Sequence, residues 1–154
     1  MIDWILVANR SGAKIFSRPS RTKSFSLIKE LENPDGRLKN GELVSDQHGR
    51  SFAGTGKARH SYSEDRDPSQ HLMEKFIKEL CATIEKDAYS NNFDGLTVVA
   101  EQTVLGELRK NFQTHTKRKL ADTCAKDLAY MSDADIISYL DRMADQSYIS
   151  TLNA

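Results

Sequence analysis

The first hydrophobic segments of the chain have the pattern of a β-hairpin. Residues 2–8 form an apolar run rich in β-branched side chains, and residues 13–18 partly alternate between apolar and polar. Asn9 and Gly12 lie in the connection between them, and both residue types favour tight turns. The two segments are therefore predicted to pair as antiparallel strands.

A third strand is predicted next, followed by a long segment without a regular period. Phe25, Leu27 and Leu31 fall at even spacing, and the turn signal Asn-Pro-Asp-Gly in residues 33–36 is expected to end the strand. Residues 37–66 are dominated by Gly, Ser, Asp, Arg and His and show neither helical nor strand periodicity. A segment this long without regular elements is unusual in a compact domain, so we expect a functional or partly disordered loop.

The second half of the chain alternates between helical and strand patterns. Asp67 and Pro68 supply an N-cap and a first helical residue, and apolar residues then recur every four positions from Leu72 to Ile84. The two asparagines at residues 91–92 are expected to end this helix. Residues 95–100 are apolar except for one threonine, which is the pattern of a central strand covered on both faces.

A short helix, a strand and a last helix complete the predicted order. Thr103 is expected to cap the short helix, residues 119–125 to form the strand, and Ser132 to cap the last helix.

Right-handed crossovers place the last two strands parallel to the first. The predicted fold class is therefore α/β, in a ribonuclease-H-like arrangement. It has a five-stranded mixed sheet, with an antiparallel three-stranded meander and then helix, strand, helix, strand, helix. The 154 residues are predicted to form one domain, with a long basic loop at about 37–66.

Composition narrows the classes of protein to which the chain can belong. Lys plus Arg number 22 and Asp plus Glu also number 22, which argues against general coating of nucleic acid by excess positive charge. No apolar run approaches the ~20 residues that span a bilayer, and no secretory signal is readable, so we expect a cytoplasmic protein without membrane association. Cys81 and Cys124 lack metal-ligand spacing and lie in apolar stretches, so both are expected to be buried, reduced thiols.

The segment 48–60 has the composition of a phosphate-binding loop, because it holds three Lys or Arg residues, two His and no carboxylate. The residues expected to contact phosphate there are Arg50, Lys57, Arg59 and His60. The glycines expected to give this loop its flexibility and a close approach to a ligand are Gly49, Gly54 and Gly56. An ordinary solvated loop explains the same composition equally well.

A second cationic cluster lies in residues 108–121, which contain no acidic residue. Its members that are expected to bind phosphate are Lys117, Arg118 and Lys119. Arg109 and Lys110 are better explained as complements to the C-terminal end of the short helix. The tail 122–154 is acidic, with six acidic residues against two basic ones. This uneven charge permits a phosphate-binding face on a protein of zero net charge.

Enzymatic chemistry finds little support in the sequence. Residues 54–57 resemble part of a nucleotide-binding P-loop, but Ser51 stands where glycine is required and Ala58 where a hydroxyl is required. The carboxylates available for a two-metal nuclease site are Asp3, Glu74, Glu79 and Glu101. The four histidines have neither metal-ligand spacing nor a nucleophile motif beside them. We therefore expect no metal, no small-molecule cofactor and no catalytic residue, and favour a non-enzymatic protein.

Short stretches along nearly the whole chain resemble the bacterial family named host attachment protein, or protein required for attachment to host cells. The matching stretches are residues 4–16, 33–37, 43–46, 49–52, 59–62, the helix from Pro68, and residues 98–100, 105–109 and 126–128. That family is similar in turn to the central domain of the class-1 peptide-chain release factors of eukaryotes and archaea, which has a ribonuclease-H-like fold. The resemblance therefore implies a role in translation.

In those release factors, a Gly-Gly-Gln loop between the third strand and the long helix promotes release of the nascent peptide from transfer RNA. Residues 49–59 occupy the corresponding place but contain no Gly-Gly-Gln, and the nearest glutamine is Gln47. What the resemblance still implies is a contact with the ribosome, ribosomal RNA or transfer RNA through Arg50, Lys57 and Arg59.

Three hypotheses on function follow from these observations. The leading one is a non-enzymatic, cytoplasmic RNA- or ribosome-associated domain that contacts phosphates through the basic loop 48–60. The second is a ribosome-rescue factor similar to a peptidyl-tRNA hydrolase, which would use the same loop with substituted chemistry. The third is a protein-interaction factor needed for attachment to host cells.

Overall fold

The computed structural model describes residues 1–33 and 68–153. The predicted loop at 37–66, most of the predicted turn at 33–36 and the predicted cap Asp67 lie outside the described residues. Asn33, the last residue before this gap, donates hydrogen bonds to the carbonyl oxygens of Ser11 and Arg10 at 2.9 and 3.0 Å. The chain therefore leaves the described part beside the turn of the first hairpin.

One mixed sheet of five strands forms the centre of the structure. Its strands are β1 (Asp3–Asn9), β2 (Gly12–Arg18), β3 (Ser26–Glu32), β4 (Gly95–Ala100) and β5 (Leu120–Ala125). The order across the sheet is β3-β2-β1-β4-β5. The first three strands pair antiparallel, whereas β4 is parallel to β1 and β5 is parallel to β4. This order confirms the predicted α/β class and mixed sheet, and the ribonuclease-H-like assignment stays a prediction.

Four helices cover the described sheet: α1 (Pro68–Tyr89), α2 (Gln102–Asn111), α3 (Thr114–Lys119) and α4 (Asp133–Asn153). The sequence pattern predicted α1, α2 and α4. Ser132 begins α4 as predicted, since its hydroxyl oxygen accepts a hydrogen bond from the Asp135 amide at 3.2 Å. Within residues 1–33 and 68–153, no helix combines the length and the apolar character that crossing a membrane requires.

Two predicted element boundaries are wrong. Residues 114–119 form α3, so Lys119 ends a helix and does not begin the strand. Hydrophobic periodicity gave no sign of α3, because its sequence Thr-His-Thr-Lys-Arg-Lys contains no apolar residue. Thr103 does not cap α2, because the chain turns directly after β4 and Glu101 already holds the N-cap position.

The core has two layers, one on each face of the sheet. Along β1, Trp4, Leu6 and Ala8 pack in the layer beneath α1 and α2, whereas Ile5 and Val7 pack in the layer beneath α4. Both faces of β1 are thus buried, which explains why its sequence is a continuous apolar run and does not alternate.

A β-bulge changes which face of β3 is buried. Ile15 pairs with Lys29, but the next residue, Phe16, pairs with Leu27, so Ile28 is the extra residue. The bulge reverses the alternation of side chains along the strand. Leu31 therefore packs in the α1 layer and Leu27 in the α4 layer, although their even spacing would place both on one face of an unbroken strand.

The two cysteines have different environments, and we expect different reactivity. Both thiols are free; Cys81 is buried in the core and Cys124 is half-buried on β5. The expectation that both are buried is therefore wrong for Cys124, which lies on an edge strand. Burial raises the pKa of the Cys81 thiol to about 12, which suppresses the reactive thiolate.

In the native protein, iodoacetamide is expected to alkylate Cys124 well before Cys81. Time-resolved mass spectrometry of the alkylated peptides measures both rates. The control is the same reaction in about 8 M urea, where the chain is unfolded and both thiols are exposed. The two alkylation rates should then agree to within about an order of magnitude. Equal rates in the folded protein would contradict the buried position of Cys81.

Candidate nucleic-acid interface

Helix α3 lies at the edge of the sheet where the parallel strands begin, which we name the amino edge. Strand β5 starts directly after α3, and its first residue, Leu120, pairs with Leu96 near the start of β4. The C-terminal half of α1 contacts α3 at the same edge. This position brings the sequence cluster at residues 117–119 together with the end of α1.

A single carboxylate from α1 holds the start of α3. One oxygen of Glu85 accepts hydrogen bonds from the Thr116 amide and the Thr116 hydroxyl, both at 3.0 Å. The other oxygen accepts one from the His115 amide at 3.2 Å and lies 2.6 Å from Nδ1 of the His115 ring. The first amides of a helix have no partner within the helix, and Gln113 at the N-cap offers no side-chain bond. Glu85 therefore caps α3 from outside.

These hydrogen bonds change the acidity of Glu85. Partial desolvation raises the pKa of its carboxyl, but the hydrogen bonds from Thr116 and His115 favour the charged form and outweigh that effect. The net result lowers the pKa of Glu85 to about 2. The carboxylate is therefore charged at neutral pH and complements the positive start of α3.

Of the three predicted phosphate ligands on α3, Lys119 is engaged within the protein. Its ammonium donates hydrogen bonds to the side-chain oxygen of Asn91 at 2.9 Å and to the carbonyl oxygen of Phe93 at 3.0 Å. The same ammonium lies 5.8 Å from the centre of the Phe93 ring. Lys119 thus fixes the end of α3 against the turn between α1 and β4.

Lys117 and Arg118, in contrast, are exposed, and their side chains make no polar contact with any other residue in 1–33 and 68–153. The neighbouring cations at the end of α2 are already occupied: Arg109 donates to the Thr123 hydroxyl at 2.6 Å, and Lys110 pairs with Glu107 at 3.2 Å. The structure therefore leaves Lys117 and Arg118 as the two α3 cations that are available to a ligand.

The predicted loop residues cannot be placed beside this cluster, because all of them lie outside the described residues. They are Gly49, Arg50, Gly54, Gly56, Lys57, Arg59 and His60. Asn33, where the chain leaves the described part, lies at the opposite edge of the sheet, beside the turn after β1. Strand β4 has six residues, and at ~3.3 Å per residue its two ends lie about 20 Å apart. The two edges of the sheet, one beside α3 and one beside Asn33, are separated by about this distance.

The family of the chain follows from its sequence as a whole. Residues 4–140 match the family model described as "Protein required for attachment to host cells". The chain belongs to this host attachment family. Among curated proteins, none matches this chain significantly.

Solved structures show where else this fold occurs. The crystal structure of the archaeal translation termination factor aRF1 matches with a TM-score of 0.50 and 11% identity, over 99% of this chain and 41% of that chain. A structure described as "Archaeal protein" gives a TM-score of 0.46 and 14% identity, over 99% of this chain and 38% of that one. The chain thus spans about two fifths of the length of these two proteins. The predicted membership of the host attachment family is confirmed, and the predicted resemblance to the release factors is confirmed at the level of the fold.

Two of the carboxylates considered for metal-dependent chemistry lie at opposite ends of the strands. Asp3 lies at the amino edge and pairs with Arg18 at 3.3 Å, whereas Glu101 follows the opposite end of β4 and lies 3.6 Å from Arg10. Within the described ranges, no group of three His, Cys, Asp or Glu residues is close enough to hold a metal ion.

Sequence reasoning missed two residues of the α3 surface. Glu85 reads as one of several charges on the polar face of α1, and its partners lie about 30 residues further along the chain. Tyr89 ends α1 with 70% of its surface exposed, and its ring lies 5.1 Å from the His115 ring at an interplanar angle of 87°. Only the fold brings these residues next to Lys117 and Arg118.

Proposed function

We propose that this member of the host attachment family is a non-enzymatic, cytoplasmic RNA- or ribosome-associated domain, and that the exposed surface of α3 contacts RNA phosphates. The observation that carries this proposal is the pair Lys117 and Arg118, exposed and without a polar partner in the described ranges. Phosphate is a suitable ligand for these two exposed cations. The guanidinium of Arg offers it two parallel hydrogen-bond donors, and the ammonium of Lys offers a compact positive charge.

The surroundings of the pair favour an anionic ligand. No acidic residue occurs between Leu108 and Ala121, and Glu85, which faces α3, has both oxygens occupied. Arg109 is exposed at the end of α2 and donates to the Thr123 hydroxyl at 2.6 Å. The segment that contains α3 is therefore cationic, with Lys or Arg at five of the residues 109–119, although the net charge of the chain is zero.

The fold supports the ribosome, ribosomal RNA or transfer RNA as the partner, because it is shared with a translation termination factor. In this proposal, the loop cations Arg50, Lys57, Arg59 and His60 form a second contact. A ligand that meets both contacts needs several phosphates along its length. An RNA backbone has the length and the regular charge for that.

The test compares RNA binding by wild type, K117A/R118A and a matched control, K75A/K78A, which removes two exposed lysines from α1. Fluorescence anisotropy of a labelled single-stranded RNA over a range of salt concentrations gives affinity and salt dependence. K117A/R118A is expected to bind more weakly, and its log–log salt slope should fall by about 0.7 for each lost contact to a single strand. The control should retain both properties of wild type.

Sucrose-gradient sedimentation of a lysate at low and moderate salt tests the ribosome as the partner. Wild type and K75A/K78A are expected to sediment with ribosomal fractions at low salt, and K117A/R118A to stay nearer the top. Equal affinity and equal slope for wild type and K117A/R118A would exclude α3 as the phosphate-binding surface. Recovery of the protein from a membrane or extracellular fraction only would exclude a cytoplasmic role.

A further inference from the structure

Tyr89 is an exposed aromatic side chain that the fold does not use for its core. It ends α1 with 70% of its surface exposed, whereas most large apolar side chains of α1 are buried. Among the described residues, its ring contact is the edge-to-face arrangement with His115. The exposed fraction of 70% leaves most of the side chain accessible to a partner.

His115 gives Tyr89 a fixed orientation. The His115 ring is itself held, because its Nδ1 lies 2.6 Å from Glu85 and its amide donates to the same carboxylate. The two rings are nearly perpendicular, at 87°, so their contact is specific in geometry. An aromatic ring whose orientation is set before binding loses little conformational entropy when a ligand stacks on it.

Exposed cations flank Tyr89 on both helices. Lys86 precedes Tyr89 by three residues and therefore lies on the same side of α1. Arg118 follows His115 by three residues and lies on the same side of α3. Neither cation has a side-chain partner among residues 1–33 and 68–153. An aromatic side chain between cations is the arrangement with which proteins bind single-stranded nucleic acid: bases stack and the backbone phosphates meet the charges.

We propose that Tyr89 is a stacking platform for an unpaired RNA base, whose neighbouring phosphates contact Lys86 and Arg118. This inference rests on the proposed function, since it names the class of RNA that the α3 surface binds. A base within a duplex is stacked between its neighbours and cannot reach the ring, so the site selects single-stranded RNA or an unpaired loop.

The test measures the affinity of the full chain for a labelled single-stranded RNA and for the same sequence as a duplex. Stacking on an aromatic side chain contributes about 1–3 kcal/mol per base, so Tyr89→Ala should weaken single-strand binding by roughly 5-fold or more. Duplex affinity should stay unchanged, and Tyr89→Phe should bind the single strand like wild type, because a phenyl ring also stacks. The salt slope of Tyr89→Ala should equal that of wild type, since no phosphate contact is lost.

The outcomes separate this inference from the function on which it rests. Weaker binding by K117A/R118A with unchanged binding by Tyr89→Ala overturns the stacking site and leaves the proposed function standing. An equal loss on single strand and duplex also overturns the stacking site. No RNA binding by wild type overturns both proposals, and capture of a protein by the same surface would then assign it to protein recognition. Because Tyr89 is exposed, equal denaturation midpoints are expected for all variants.

Discussion

Replacement of Phe93 by alanine is expected to destabilise the protein by about 3–5 kcal/mol. Phe93 is fully buried in the α1 layer and stacks on Trp4 with ring centres 4.5 Å apart. Its carbonyl oxygen and its ring also contact the Lys119 ammonium. The alanine variant loses the buried ring, leaves a cavity beside Trp4 and removes the aromatic surface beneath the end of α3.

Urea denaturation followed by tryptophan fluorescence measures this loss, because Trp4 is the only tryptophan of the chain and is 4% exposed. Far-ultraviolet circular dichroism provides a second probe that does not depend on the ring next to Trp4. Phe93→Leu keeps most of the volume and should cost less than about 1.5 kcal/mol. A cost below about 1 kcal/mol for Phe93→Ala would mean that the ring is not part of a close-packed core.

The second large effect is expected at Glu85. Thr116 is fully buried, and Glu85 is the acceptor for both its amide and its hydroxyl. Glu85→Ala leaves these donors without a partner, at a cost of about 1–3 kcal/mol for each buried donor. The first turn of α3 also loses its cap, so Lys117 and Arg118 lose their fixed position. RNA affinity should therefore fall together with stability.

Glu79→Gln is the matched control, because Glu79 is exposed on the same helix. Its denaturation midpoint and its RNA affinity are expected to equal those of wild type. If Glu85→Ala leaves the unfolding free energy within about 0.5 kcal/mol of wild type, the surface of α3 does not depend on this carboxylate.

Glu85 also predicts how stability depends on pH. The folded state lowers the pKa of Glu85 from 4.5 to about 2, so folding favours the charged carboxylate. The resulting stability is fully present above pH 4.5 and is lost as the pH falls toward 2. The difference in unfolding free energy between wild type and Glu85→Gln should accordingly be largest near neutral pH and shrink below pH 4.5. A difference that stays constant from neutral pH to pH 3 is the outcome that contradicts this pKa.

Local sequence patterns predicted the elements that are built on continuous apolar periodicity. The hairpin of β1 and β2, the long helix α1 and the buried strand β4 all follow from patterns within a few residues. Helix α3 could not be predicted this way. The hydrogen bonds that cap its start come from Glu85, a contact between distant parts of the chain that no local pattern contains.

The same division applies to the candidate site. The run Lys117, Arg118 and Lys119 was visible as a charge cluster. Its division into one anchored cation and two without a side-chain partner in the described part of the chain depends on Asn91 and Phe93, which lie 28 and 26 residues from Lys119. The sequence also could not show which face of the sheet each side chain of β3 occupies, because the bulge at Ile28 is set by pairing with β2. Contacts between distant segments, and not local preference, decided what local patterns could not predict.

The position of β1 has a consequence for how the chain folds. The strand lies between β2 and β4, and its parallel partner β4 follows about 90 residues later in the sequence. Synthesis proceeds at ~5–20 residues per second, so several seconds pass between the synthesis of β1 and that of β4. During this time the backbone groups of β1 that will pair with β4 have no partner strand. These groups belong to an apolar strand, so they can pair with another chain until β4 is made. Efficient folding of this protein therefore depends on protection of β1 while the rest of the chain is translated.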